Sequence, residues 1–299
     1  KPLPVSKHAS LTCREGAPAF LTVASDQGGG DLHVGVGELC PLPGRHSEEI
    51  DEALAQLRAV ASALVDRDVS TDLAALGGRL GALLDGVCTG PMLPSVRAAL
   101  EMALLHATAR AQKKSVCDCL ATQALRADPS APPLELQSHV RLNGLASLSE
   151  VANLAASDSP RTAMRTIKVK VGGDADADGA RAGAILIWCA SRGITLRLDA
   201  NQAWTWDEAM VFGRALRQVA ATACEWLEYV EEPLASTESA RLGEWSTLTG
   251  LPFALDESVE NLTRESLLPL MLQDGCAAVV LKPTLVGGIE AAARLATIA

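Results

Sequence analysis

The sequence predicts an α/β protein, a (β/α)8-type barrel cut short after its sixth strand and preceded by a smaller α+β domain. Three observations predict it. Between Thr166 and Lys282 five short runs recur: TIKVKVG, ITLRLDANQAW, WLEYVEEPL, LPFALDES and AAVVLKPTLVGG. Their Val, Ile, Leu and aromatic content suits strands. Each run ends in a charged residue that an apolar strand has no reason to carry, in order Lys170, Asp199, Glu231, Asp256 and Lys282. Helix-length segments at 178–191, 207–221, 237–249 and 262–273 separate the runs, and strands joined by helices lie parallel.

The domain before the barrel is expected over 1–133 and the barrel over 134–299. Near its start, 19–24 and 32–38 read as antiparallel strands, with the glycine-rich 26–31 as their turn. Pro41 and Pro43 end the second strand. Ser47 is expected to cap a helix running to about Val65, with Leu54, Leu57, Val60, Ala61 and Leu64 on its buried face. A short helix is expected over 71–84. A third follows Pro94, capped by Ser95, with Val96, Leu100, Ala103, Leu104 and Ala107 as its buried stripe. Pro129 to Pro133 punctuates the end of this block. Gly35-Val-Gly-Glu38 reads as a strand end rather than a phosphate loop, because no helix follows it directly. Arg45-His46 reads as a solvated loop. Residues 140–143 are the expected first barrel strand, with a helix over 147–156. The five runs above bring the strands to six.

Composition excludes some function classes. The 26 basic against 36 acidic residues give a net charge of −10, which argues against a nucleic-acid surface. It leaves room for an anionic small molecule, since clustered lysines and a metal outweigh net charge locally. No apolar run approaches the roughly 18 residues of a membrane span, and the longest, 182–190, fits a buried helix. The eight cysteines are scattered without a CxxC pair, so reduced thiols in a reducing compartment are expected. Residue 1 is Lys, and no secretory leader is visible in the chain as it stands. A chain excised from a longer one is the expectation.

In a parallel barrel the C-terminal ends of the strands converge on one mouth. Asp199, Glu231 and Asp256 would meet there and raise one another's pKa values unless a cation joined them. An oxygen-only ligand set favours Mg²⁺ or Mn²⁺. Glu232 should point away from Glu231, because side chains alternate along a strand. Lys168 and Lys170 share a face, and two adjacent ammonium groups disfavour double protonation. A lysine base useful near neutral pH needs its pKa lowered from about 10.4 to about 7–8. Lys282 should enter the mouth from the opposite side. Arg197, two residues before Asp199, is placed to pair with a carboxylate deeper in the barrel. A metal beside a lysine base suggests removal of the proton α to a substrate carboxylate. Racemisation, β-elimination and cycloisomerisation all begin with that step.

The ordered set KVK, LDAN, EEP, DES and KPT resembles the enolase superfamily, in its muconate-lactonizing subgroup. The likeness covers nearly the whole chain. GVGELCPLPGRHSEE and PSVRAALEMALLHA resemble that superfamily's capping domain. TIKVKVG, LRLDANQAW, EEPL, LDES and LKPTL look most like the o-succinylbenzoate synthase family. The resemblance implies a lyase that dehydrates 2-succinyl-6-hydroxy-2,4-cyclohexadiene-1-carboxylate to o-succinylbenzoate on the way to menaquinone or phylloquinone. It implies Lys170 as the base, Lys168 as its tuning and substrate-binding neighbour, and Lys282 as the cation that stabilises the anionic intermediate. It further implies Asp199, Glu231 and Asp256 as Mg²⁺ ligands, with Asn201 at the substrate and Arg197 near the base. The implied setting is the cytoplasm, or a plastid in a photosynthetic eukaryote, with fusion to other quinone-biosynthesis domains. Two alternatives stay open. KPTLVGG, with its two glycines, matches relatives that racemise N-acylamino acids or epimerise dipeptides. The two barrel strands and the capping strand that the family's pattern adds leave room for a catalytically silent domain of a larger assembly.

Overall fold

A computed structural model describes residues 3–6, 9–11, 15–24, 31–69, 79–120, 139–148, 151, 165–259 and 264–296. The chain divides into two compact units, one formed by Lys1–Ser138 with Leu281–Ile298, the other by His139–Val280 with Ala299. The boundary expected at 133/134, the turn at 26–30, the proline-rich 129–133 and most of the expected helix over 147–156 lie outside the described residues.

In the first unit β1 (Leu3–Ser6) pairs antiparallel with β2 (Ala9–Leu11), and β3 (Ala17–Ala24) with β4 (Leu32–Leu39). Three helices follow, α1 (Ile50–Leu64), α2 (Arg79–Asp85) and α3 (Pro94–Ala111). The GVG run lies inside β4. A Cβ added at Gly35 would collide with the Ala103 carbonyl, and one at Gly37 with the Ala99 carbonyl. These glycines therefore let α3 lie directly on the strand, and no phosphate loop forms.

Neither expected serine cap forms. α1 begins at Ile50, after Glu49, and α3 takes Pro94 as its first residue, after Leu93. Ser95 is buried, and its N–H and hydroxyl both donate to Glu48 Oε1, at 3.0 and 2.6 Å. A buried carboxylate drew the serine inward. On α1 the buried residues are Ala53, Leu57, Val60 and Leu64, while Ala61 is exposed. α2 occupies only the end of its expected span, and 71–78 lie outside the described residues. All five expected stripe positions of α3 are buried. His46 is no surface loop residue: its Nδ1 accepts from Leu42 N at 2.8 Å, and Nε2 lies 3.0 Å from the Thr284 carbonyl.

The second unit holds one six-stranded sheet. Its strands are β5 (Asn143–Ser147), β6 (Thr166–Lys170), β7 (Thr195–Asp199), β8 (Leu227–Glu231), β9 (Phe253–Leu255) and β10 (Cys276–Val279). Every neighbouring pair is parallel, and the spatial order follows the chain order. Between the strands run α4 (Ala175–Ala190), α5 (Trp206–Ala220), α6 (Leu242–Thr249) and α7 (Arg264–Met271). Asp174 caps α4 by accepting from Ala177 N, and Thr205 with Glu208 forms a reciprocal capping box at α5.

The first strand lies three residues later than expected. Pairing with β6 sets Asn143 opposite Thr166 and Ser147 opposite Lys170, so register with a neighbour, not the apolar Val140 and Leu142, decides it. The sixth strand also ends early, at Val279. Lys282 lies in the 281–298 segment of the first unit, where its carbonyl accepts from Leu285 N and Val286 N. The turn it opens leads into α8 (Ile289–Ala296).

Within the first unit α8 is tied down by buried charge. Glu101, in the middle of α3, accepts the Glu290 N–H at 2.9 Å, at the helix's first turn. Glu290 in turn accepts from Gly81 N at 2.7 Å and pairs with Arg294 at 2.8 Å. Both glutamates are buried.

Candidate active site

The strand ends of the second unit carry the expected charges, and register brings them together. Lys170 pairs across to Asp199, and Asp199 to Glu231. Paired residues of parallel strands project to one face, so the three side chains meet. Lys170 Nζ donates to Asp199 Oδ2 and to Asn201 Oδ1, each at 2.6 Å. Lys168 Nζ donates to both oxygens of Glu231, at 2.8 and 2.7 Å, and lies 2.7 Å from Asp199 Oδ2. Both ammonium groups thus converge on one carboxylate oxygen. Asn201 donates its backbone N–H to Asp199 Oδ1 and its side-chain amide to Glu257.

The electrostatics at Lys168 differ from the depression expected of a lysine beside another lysine. Burial disfavours the Lys168 ammonium, but the Asp199 and Glu231 carboxylates outweigh it and hold Lys168 above its ordinary value. Burial also works against the Asp199 anion, and the two lysines hold its pKa down regardless. The surplus negative charge shows at Glu231. Burial, then the charges of Asp199 and Asp256, push it up to about 8, against the pull of Lys168.

Asp256 follows β9 directly and is buried. Among the described residues no three His, Cys, Asp or Glu side chains stand gathered as a metal cluster, because Asp199 and Glu231 close on Lys168 instead. The residues nonetheless suit a hard divalent cation. Three buried carboxylates at successive strand ends supply oxygen donors alone, and the raised Glu231 marks a place short of positive charge. Glu232 lies just past the end of β8, and its carboxylate is taken up by the 256–258 turn rather than by the lysines.

Arg197 belongs to a second group, one layer deeper. Its Nε donates to Glu228 Oε2 at 2.5 Å and its Nη1 to Asn143 Oδ1 at 3.2 Å, with the guanidinium 5.2 Å from the Tyr229 ring centre. Glu228 reaches this face because the β7–β8 register slips there: Leu196 faces Leu227, but Arg197 faces Tyr229. The extra residue is a bulge that re-aims its side chain. Thr195 and Thr166 also donate to Glu228, at 2.7 and 3.3 Å. Burial opposes its ionisation, but these donors and Arg197 hold the carboxyl below the usual range.

Lys168, Lys170, Asp199, Glu231 and Asn201 therefore form one hydrogen-bonded group, with Asp256 beside Glu231. Lys282 belongs to the other unit. The sequence reading missed Glu228 and Glu257. The signal for Glu257 was present, an acid directly after a strand-end acid, as in Glu231-Glu232.

Residues 150–299 match the family described as Enolase C-terminal domain-like. "Protein PHYLLO, chloroplastic" of Arabidopsis thaliana is 32% identical over 99% of this chain. An o-succinylbenzoate synthase of Klebsiella pneumoniae is 31% identical over 87% of it. The chain spans 17% of the plant relative's length and 65% of the bacterial one's. Among solved structures, a dipeptide epimerase from Enterococcus faecalis, complexed with Mg and a dipeptide, shares the fold with a TM-score of 0.70 at 21% identity. That likeness covers 94% of this chain and 71% of the epimerase. The family match takes in the five strands from β6 to β10 and half of the chain, and on that ground the chain belongs to the enolase superfamily.

Proposed function

We propose that this chain is a Mg²⁺-dependent lyase that dehydrates 2-succinyl-6-hydroxy-2,4-cyclohexadiene-1-carboxylate to o-succinylbenzoate, a step of menaquinone or phylloquinone biosynthesis. The observation that carries the reading is the lysine pair of β6 set against Asp199 and Glu231. The identity to an o-succinylbenzoate synthase supports it.

Asp199, Glu231 and Asp256 would hold Mg²⁺ or Mn²⁺, which when bound holds a substrate carboxylate and acidifies the adjacent C–H. Lys170, as the neutral amine, takes that proton. As ammonium it then gives a proton to the departing hydroxyl. One C–H and one C–O bond break, a ring double bond forms, and water leaves. Lys168, kept charged by its carboxylates, contacts the substrate carboxylate. Asn201 aims Lys170 through the 2.6 Å contact and borders the substrate. Arg197, fixed by Glu228, supports the β7 strand end from below. Lys282, by its place in the family's motif, stabilises the developing negative charge. The plant relative's name suggests a plastid setting, and its greater length suggests fusion to further domains. No helix of the described residues is long and apolar enough to cross a membrane.

The test is direct. The purified chain is incubated with the cyclohexadiene carboxylate, with and without Mg²⁺, and the aromatic product is followed by ultraviolet absorbance. Metal-dependent turnover is expected, falling about 10²–10⁴-fold in Lys170→Ala. A second reading, racemisation of N-acylamino acids or dipeptides, is favoured by the KPTLVGG glycines and the epimerase fold likeness. Absent dehydration with α-hydrogen exchange of N-succinylamino acids in D₂O would establish it. Mg²⁺ binding with neither reaction would leave a catalytically silent domain.

A further inference from the structure

Directly behind the strand-end carboxylates stands an acid that no step above uses. Glu232 has no exposed surface, 0%, and its carboxylate accepts from four donors. Oε1 accepts the backbone N–H of Asp256 at 2.8 Å and that of Ser258 at 2.7 Å. Oε2 accepts the Ser258 hydroxyl at 2.8 Å and the Gln202 amide at 3.2 Å. The Glu232 main chain completes the tie: its carbonyl accepts Gln202 N at 2.9 Å, and its N–H donates to the Ala254 carbonyl at 3.0 Å.

These contacts reach three loops. Gln202 lies just past Asp199, Glu232 follows Glu231, and the turn at 256–258 begins with Asp256 itself. The backbone there is unusual. Asn201, Gln202 and Glu232 have φ of 47°, 56° and 43°, in the left-handed region that side chains other than glycine adopt only when their surroundings compel it. A buried carboxylate with four donors is such a compulsion.

We propose that Glu232 is a positioning residue for the divalent-cation site, holding the Asp256 backbone, and through Gln202 the loop after Asp199, in register with Glu231. The inference rests on the metal assignment made under Proposed function. It adds a residue that touches neither metal nor substrate and acts through the main chain of a ligand.

The experiment is calorimetric titration of the metal-stripped 299-residue chain with Mg²⁺, alongside thermal melts, for wild type, Glu232→Asp and Glu232→Gln. Aspartate keeps the charge but is one methylene too short to reach both amides. Glutamine keeps the reach but gives weaker, uncharged bonds. The positioning role predicts that Glu232→Asp raises the Mg²⁺ Kd about 10–100-fold, and that Glu232→Gln raises it less, by about threefold or more. A purely structural role would lower Tm in both variants with the Kd of the folded protein unchanged. A simple charge effect would make Glu232→Gln the worse variant. Either outcome overturns the proposal. If Glu232→Asp does not fold, an unchanged Kd in Glu232→Gln overturns it. Wild-type protein that binds no Mg²⁺ would instead defeat the metal assignment itself, and this inference with it.

Discussion

Asp199 is the hinge of the site at the scale of single residues, since one of its oxygens takes both lysines and the other takes Asn201 N. Asp199→Asn should cut turnover at least about 10²-fold while the fold persists, checked by the ultraviolet assay beside circular dichroism. Such residues were legible in the sequence because a charge ending an apolar run has few reasons to be there. The deeper pair was half legible. Arg197 sits on the face of Asp199 by simple alternation, but Glu228 should have faced away. The bulge inverts it, and nothing in LEYVEE announces a one-residue slip in a neighbour's register. Arg197→Ala should cost about 1–2 kcal/mol in urea unfolding, a figure lowered by the partial exposure of both side chains.

Elements, rather than residues, hold the 281–298 segment in place. Burial pushes Glu101 up to about 7, and the Glu290 charge adds to this against the N–H it accepts and nearby Arg97. Unfolded, the group titrates near its ordinary 4.5. The folded state then binds the proton more tightly, so this contribution to stability is full below about pH 4.5 and is lost as pH rises through about 7. At 1.36 kcal/mol per unit the change is of order 3 kcal/mol. Urea melts at pH 5 and pH 8 should show the protein more stable at the lower pH, and Glu101→Gln should flatten the difference by stabilising the pH 8 state. The clue lay in the sequence as an acid inside the otherwise small and apolar AALEMALL, but its partner is 189 positions away and no local pattern connects them. Gly37→Ala should destabilise by about 3 kcal/mol or more through overpacking against α3, read from the same melts. A serine before a helix is an incomplete guide to its start, because tertiary contact with Glu48 is worth more to Ser95 than a local bond.

For the whole molecule, strand number, order and direction were readable because the strand–helix spacing repeats. Ends of elements were not, as they are set by register between neighbours. All three carboxylates assigned to the cation lie in the 139–280 unit. Mg²⁺ at about a hundred times its Kd should add about 2.7 kcal/mol to stability, and amide hydrogen exchange should slow chiefly within that unit, an effect abolished by a chelator.

The linear run from β5 to β10 has a consequence for how this protein behaves in company. Among the described residues β10 and β5 are the outermost strands, each with one margin of backbone N–H and C=O groups outside the ladder. Such a margin is a template: an extended segment of any polypeptide gains hydrogen bonds by lying along it. Where that margin stays open, self-association at high concentration works against the solubility that a net charge of −10 confers. Ala277 is exposed in the middle of β10, and a charge there would act as a gatekeeper. Ala277→Lys should lower the concentration dependence seen by light scattering, and an unchanged profile would mean that the margin is already covered.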